Sequence, residues 1–266
     1  MKKSAFSEAE KNTSPNNRAL SDDTIDFGFR TVQRAEKAAL VRDVFDSVAK
    51  RYDLMNDLMS GGIHRLWKST LIDWMAPQPY QKLVDFAGGT GDVSLRFLHA
   101  GGGSACITDI NYAMLTAGRK RRELQRLSSR LDWCVANAEC APFKDNYCDF
   151  VTIAFGLRNV TNRQAALNDA YRILKPGGRF LCLEFSHIEN KFVAKLYDHW
   201  SFNALPIMGQ LVAGDSESYR YLAESIRKFP EKEILADMFA EAGFAQIRIR
   251  SLSAGIACIH SGWKLD

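Results

Sequence analysis

From Lys82 to the C-terminus, short apolar runs and helical patterns follow one another in turn, and no other feature constrains the fold as strongly. Lys82–Phe86, Ala105–Asp109, Leu131–Ala136, Phe150–Ala154 and Arg179–Phe185 read as strands. Helical spacing occupies Val93–His99, Tyr112–Leu127 and Asn162–Leu174 between them. Such an order predicts a parallel sheet with helices on both faces. Further on, Glu231–Ala242 is helical, and two last strands are expected at Gln246–Leu252 and Ile256–Trp263. Only Ser253-Ala254-Gly255 separates them, so they should pair as an antiparallel hairpin. The predicted architecture is α/β: a doubly wound, mostly parallel seven-stranded sheet that ends in an antiparallel β-hairpin.

Two helical regions add to this plan. Residues 27–81 form a preface, with apolar residues at helical spacing over Glu36–Met59, a Gly61-Gly62 break, and a second helix at His64–Met75 stopped before Pro77. Residues 190–230 form an aromatic, mostly helical insertion interrupted by Pro206 and Gly209. Met1–Asp26 is rich in Ser, Asn and charged residues and is expected to be a disordered tail. It lacks the apolar core of a signal peptide, and its acids argue against a transit peptide. No apolar stretch reaches the roughly 18 residues that span a bilayer. The six cysteines include no Cys-x-x-Cys pair, so neither a disulfide framework nor a metal site is expected, and a cytoplasmic setting fits. A net charge of +4 does not suggest a nucleic-acid binder.

The chemistry is expected at the carboxyl ends of the strands, where open α/β sheets bind ligands. Asp85-Phe86-Ala87-Gly88-Gly89-Thr90-Gly91-Asp92 places a glycine turn at the end of the first sheet strand. Glycines there admit positive φ and let a ligand approach the backbone. The dinucleotide fingerprint is not met, since Ser94 stands in the place of its third glycine. Asp109 ends the next strand, where a carboxylate can accept both hydroxyls of a ribose; the alternative is a helix cap. Asn137-Ala138 ends the third and can offer an amide and a backbone N–H to an adenine, or form a plain surface turn. Asp85 is expected to brace the turn through backbone N–H groups.

The glycine run resembles the methyltransferase pattern of an acid followed by three alternating glycines, with Ala87 in the first glycine place. Longer motifs are more specific. Phe27-Gly28-Phe29-Arg30, Tyr52–Ser60, His64-Arg65-Leu66-Trp67-Lys68, Phe155–Val160, Ala213-Gly214-Asp215, Ser218–Ile226 and His260–Lys264 together resemble the ubiquinone/menaquinone biosynthesis C-methyltransferase family. The resemblance covers nearly all of Phe27–Lys264. It implies a Rossmann-like class I methyltransferase that uses S-adenosyl-L-methionine to methylate a ring carbon of a polyprenyl benzoquinol or naphthoquinol. By motif position the cofactor residues are Thr90, Asp109, Asn137 and Ala138, with Gly89 and Gly91 shaping the turn. Many members have serine where this chain has Ala154, so any hydroxyl contact there is absent. Partners compatible with the resemblance are a peripheral membrane contact, a quinone-biosynthesis complex or a second copy of the chain.

Carbon methylation needs an electron-rich ring, which a quinol supplies as its phenolate. Ionising a phenol of pKa about 10 near pH 7 takes roughly 4 kcal/mol of help. Arg158-Asn159, after the fourth strand, suits this task through charge-assisted hydrogen bonds; a structural ion pair with a capping Asn is the bland alternative. His64, His187 and His199 are other candidate bases, and Tyr52 and Asn56 can close over the ring. The apolar residues of the insertion, Phe192 and Trp200 among them, suit either a subdomain core or a path for the prenyl tail. Arg119, Lys120, Arg121 and Arg122 form a basic helix face that is either merely solvated or attracted to an anionic bilayer or an acidic partner. A nicotinamide oxidoreductase, a methyltransferase for another phenol, sterol or amine, and a non-catalytic binding module are the rival readings.

Overall fold

The computed structural model describes residues 23–48, 56–57, 60–188, 195, 199–200 and 216–266. Strands β1 (Thr24–Phe27) and β2 (Arg30–Gln33) form an antiparallel hairpin, followed by helices α1 (Arg34–Val48) and α2 (His64–Met75). The alternating part comprises β3 (Lys82–Phe86), α3 (Asp92–His99), β4 (Ser104–Asp109), α4 (Tyr112–Arg119), α5 (Arg122–Gln125), β5 (Leu131–Val135), β6 (Cys148–Ala154), α6 (Arg163–Ile173) and β7 (Leu174–Phe185). Helices α7 (Ser216–Arg227) and α8 (Lys232–Glu241) precede β8 (Ala245–Leu252) and β9 (Ala257–Trp263).

The large sheet has the order β5-β4-β3-β6-β7-β9-β8. Its first five strands are parallel, and β9 runs antiparallel between β7 and β8. The seven expected strands are therefore present, and the last two pair as a hairpin. The strand order reverses between β3 and β6, which makes their carboxyl ends the switch point where such sheets bind ligands. One apolar cluster packs α2, α3, α7 and part of α1 on one face, with Trp67, Leu71, Phe97 and Leu222 all buried. A second packs α6 and α8 on the other, around Leu167, Phe180 and Phe239.

Several expected boundaries differ for identifiable reasons. Thr24–Asp26, expected in the tail, pairs with Thr31–Gln33, and burying Phe27 against Tyr221 at 4.2 Å between stacked ring centroids anchors it. Residues 1–22 lie outside the described part, as do Tyr52, Phe192 and most of the insertion. The helix expected over Tyr112–Leu127 is two helices, because Arg121 is extended (ψ 123°) and the chain pivots there. That pivot drops Leu124 into the core beside Gly91. The Lys175–Gly178 connection is drawn into β7, since Gly177 and Gly178 exchange backbone hydrogen bonds with Lys264.

Gly91 caps α3 with φ +80°, and a Cβ there would fall 2.8 Å from Ile107 Cδ1 and 3.0 Å from Leu124 Cδ1. Gly91→Ala therefore combines a left-handed backbone with crowding, and should destabilise by about 1–3 kcal/mol. Thermal melts check this; an unchanged melting temperature would show that the turn is not held by packing.

Candidate functional site

A cavity with an empty volume of about 810 Å³ opens at the carboxyl ends of β3, β4, β5 and β6. Its wall includes Gly89, Asp109, Asn137, Ala138 and Asn159, five residues that the sequence places at the ends of four strands. The parallel sheet brings them together because Asp109 ends a parallel strand and the others lie in the loops that leave the carboxyl ends of its neighbours.

Asp109 ends β4 at the base of this cavity. Its Oδ2 accepts the Gly89 N–H at 3.0 Å and its Oδ1 accepts the Asn111 N–H at 2.8 Å. It is not the cap of α4: that role belongs to Asn111, whose side chain accepts from Met114 N at 3.0 Å. Burial pushes the Asp109 carboxyl up to about 6, against the two backbone donors. A desolvated carboxylate with two anchored oxygens keeps lone pairs for a ligand that brings its own donors. Asn137 accepts the Glu139 N–H on Oδ1 at 3.0 Å, which leaves its NH2 end for a ligand.

The glycine turn itself is braced from below. Asp85 is buried on β3 and accepts hydroxyl hydrogen bonds from Thr152 at 2.7 Å and Ser94 at 3.0 Å. The bracing is thus made largely by side-chain hydroxyls, where backbone N–H groups were expected. Ala87, in the glycine place, has φ +48°, and its methyl is accommodated because residue 156 is glycine: a Cβ there would lie 2.6 Å from it. Phe155, at φ +57°, also holds a left-handed conformation on the cavity wall. Two strained non-glycine residues lining one cavity are typical of a functional site.

Thr90 faces a separate small recess together with Lys68 and Asp92. Lys68, from α2, reaches Asp92 Oδ2 at 2.9 Å. Although burial opposes ionisation of Asp92, the Lys68 charge, with Arg96 and Arg121, holds it down to about 2. Gly91 lines neither hollow and packs against Ile107, Leu124 and Trp133.

The structure separates the two residues of the Arg158-Asn159 pair. They sit in a short 3₁₀ turn, Leu157–Asn159, beyond β6. Asn159 reaches the cavity wall, but Arg158 turns away and is buried. Its Nη1 donates to Glu184 Oε2 at 2.9 Å and to the Phe155 carbonyl at 2.6 Å, while its backbone N–H donates to Glu184 Oε1. The expectation that its guanidinium faces the substrate is not what the geometry shows, because an arginine buried this deeply must be paired and Glu184 on β7 is its partner.

The histidines lie elsewhere. His64 is buried with Nε2 2.8 Å from Asp57 Oδ1, and burial lowers its pKa despite that partner. The His187 ring donates from Nε2 to the Phe229 carbonyl at 2.7 Å. Asn56 is buried, and its backbone carbonyl accepts from the Ser60 hydroxyl. Sequence reasoning missed the helical wall of the cavity, formed by Ala38, Val41 and Phe45 of α1, together with Met114. The signal was the i, i+3, i+7 spacing of those three residues, which generic amphipathicity had masked.

The sequence model described as the ubiE/COQ5 methyltransferase family matches residues 24–264. The ubiquinone/menaquinone biosynthesis C-methyltransferase UbiE of Cereibacter sphaeroides is 55% identical over 250 residues, covering 92% of this chain and 100% of its own. The protein of the same name from Acidiphilium cryptum is 57% identical over 245 residues, covering 92% of this chain and 98% of its own. Among solved structures, phosphoethanolamine N-methyltransferase 2 of Haemonchus contortus, in complex with S-adenosyl-L-methionine, has a TM-score of 0.61 at 14% identity over 85% of this chain and 60% of its own. An S-adenosylmethionine-dependent methyltransferase of Thermotoga maritima has a TM-score of 0.60 at 19% identity over 84% of this chain and 98% of its own. Those two likenesses establish the class I methyltransferase fold. With the sheet, the glycine turn and nearly the whole length of the chain in agreement, this protein belongs to the ubiE/COQ5 methyltransferase family.

Proposed function

We propose that the chain is an S-adenosyl-L-methionine-dependent C-methyltransferase. It methylates a ring carbon of a polyprenyl benzoquinol (2-methoxy-6-polyprenyl-1,4-benzoquinol) or of demethylmenaquinol, in ubiquinone or menaquinone biosynthesis. The quinol substrate rests on the family match over residues 24–264 and on the named relatives, and cofactor binding on the anchored carboxylate of Asp109 in a cavity set at the sheet's switch point. The residues fit the cofactor. Asp109 accepts the ribose hydroxyls, and the free NH2 end of Asn137 with the backbone of Ala138 faces the adenine. Gly89 keeps its backbone open: a Cβ there would come 3.0 Å from Met114 Cε. Beside Thr90, the paired opposite charges of Lys68 and Asp92 suit the zwitterionic amino-acid end. Gly91 contributes by holding the turn.

When bound, the cofactor supplies an electrophilic methyl group on a sulfonium. The protein's part is to raise electron density on the quinol ring and to exclude water. Asn159, on the cavity wall, is placed to donate to the quinol oxygen as it gains charge. Arg158 works one residue behind it: with its charge compensated by Glu184, it holds the turn that carries Asn159. A prenyl tail stays in the bilayer, because each buried methylene is worth about 0.8 kcal/mol. Among the described residues no helix is long and apolar enough to cross a membrane. The exposed Arg119, Lys120 and Arg122 are therefore the surface we assign to anionic headgroups.

Radiolabelled methyl transfer to the two quinols tests the reaction; labelling of neither, with another phenol accepted, would replace the substrate assignment. For the cofactor, Asp109→Asn should weaken binding by about 1.5–3 kcal/mol, the value of hydrogen bonds to a charged group. Because the carboxyl of Asp109 ionises at about 6, the wild-type acceptor is present above that pH and lost as pH falls through it. Wild-type affinity should drop by up to about tenfold per unit below pH 6, while Asp109→Asn stays flat. Parallel pH slopes for the two proteins in calorimetry would rule out the ribose role.

Arg158 and Asn159 should separate by readout. Arg158→Ala leaves Glu184 buried and unpaired, at a cost of about 3–5 kcal/mol, or on the order of 10 °C in melting temperature. Asn159→Ala should melt normally and lose about 10- to 100-fold in single-turnover methyl transfer. A wild-type melting curve for Arg158→Ala would remove the structural role, and a wild-type rate for Asn159→Ala would remove the donor.

A further inference from the structure

The Asn159 side chain can present either end of its amide to the cavity, and the two ends have opposite effects on a developing phenolate. The NH2 end stabilises it; the carbonyl end repels it. One neighbour bears on which end faces inward. Tyr221 of α7 is buried, its ring stacked on Phe27 with centroids 4.2 Å apart and planes 20° from parallel. That stack leaves the phenol little freedom, and its hydroxyl lies 3.0 Å from Asn159 Oδ1.

A phenol hydroxyl can donate or accept, so its direction needs a cause. Burial raises the Tyr221 pKa, against the pull of two guanidiniums, and the group remains a neutral phenol that has a proton to donate. Those guanidiniums belong to Arg158 and Arg163, and Arg163 Nη2 donates to the Arg158 carbonyl at 3.3 Å. The amide oxygen Oδ1 carries no hydrogen, so across the 3.0 Å contact the phenol donates and the amide accepts. The hydrogen is then directed at Asn159 Oδ1, and the NH2 end is left for the cavity. The turn is tethered from a third side as well, by the buried Lys37 of α1, whose amine donates to the Val160 carbonyl at 3.4 Å.

We propose that Tyr221 is a positioning residue, whose hydroxyl holds the Asn159 amide with its NH2 end toward the oxygen of the bound quinol. This rests on the proposed methyl transfer to a quinol, and adds to it a residue on an element outside the sheet. Helix α7 thereby decides the polarity of a donor that the β6 turn supplies.

The test is a double-mutant cycle on full-length protein with Tyr221→Phe and Asn159→Ala, alongside Asn159→Asp. Tyr221→Phe keeps the ring stack on Phe27 and removes only the hydroxyl. It should leave S-adenosylmethionine affinity and KM for the quinol within about twofold, and lower kcat about tenfold. The rise of kcat with pH should move to higher pH, as hydroxide takes over more of the ionisation. In the Asn159→Ala background the same change should have almost no further effect, since the amide it orients is gone. Asn159→Asp, which keeps an acceptor for Tyr221 but has no donor, should be at least as slow as Asn159→Ala. The amide itself gives a readout that needs no turnover: with selective asparagine ¹⁵N labelling, the Asn159 NH2 signal, assigned by its loss in Asn159→Asp, should shift or broaden in Tyr221→Phe.

Strictly multiplicative kinetic effects of the two single changes, or an unmoved Asn159 amide signal, would overturn the positioning role while leaving the methyl transfer intact. Absence of transfer to either quinol by the wild type would instead overturn the substrate reading and, with it, this role.

Discussion

The buried carboxylate of Asp85 is the constraint on which the rest of the site depends. It lies on the central strand β3 and accepts from Thr152 of β6 and Ser94 of α3, so one side chain ties together the two strands at the switch point and the helix that follows the glycine turn. Gly88 has to be glycine for the same reason, since a Cβ there would lie 2.9 Å from Asp85 Oδ2. Burial pushes the Asp85 carboxyl up to about 6, and two hydroxyls with the Lys68 charge only partly offset that desolvation. The native state tolerates this cost because the hydrogen bonds specify where the turn lies. The turn, in turn, delivers its Gly89 N–H to Asp109.

A second buried charge organises the opposite lip. Arg158 and Glu184 are both almost fully enclosed, with side chains 1% and 2% exposed, so neither can be left alone without a large penalty. Their pairing locks the turn after β6 to β7. Tyr221 from α7 and Lys37 from α1 reach the same turn from the helical side. Three elements distant in sequence therefore agree on the position of the turn that carries Asn159. Pre-organisation of that kind matters in catalysis because a donor already in place pays no reorganisation when charge develops.

Much of this was legible in the residues. Strands declare themselves by short apolar runs, and ligand groups of an open parallel sheet fall at strand ends, so Gly89, Asp109, Asn137, Ala138 and Asn159 could be chosen without coordinates. What the pattern could not convey was direction. Arg158 and Asn159 are adjacent in sequence, yet in a 3₁₀ turn neighbouring side chains diverge, and only the position of Glu184 determines which of the two is drawn inward. Gly91 and Thr90 share the glycine turn with Gly89, yet one packs on Ile107 and Leu124 and the other faces a separate recess. The break within the helix expected over Tyr112–Leu127 was equally hidden, since Leu124 satisfies helical spacing and is pulled out of register by a space in the core beside Gly91.

The sequence by itself determined the order of elements, the closing hairpin and the chemistry at each strand end, because these depend on local periodicity and on residue types within a few positions of one another. The tertiary structure alone decided which charges are compensated, that Asn159 and not Arg158 lines the cavity, and that Ala38, Val41 and Phe45 of the preface helix complete its wall. The physical reason is that burial and pairing depend on contacts between residues far apart in the chain, such as Arg158 with Glu184 and Asn159 with Tyr221. No local pattern encodes a partner 26 or 62 residues away.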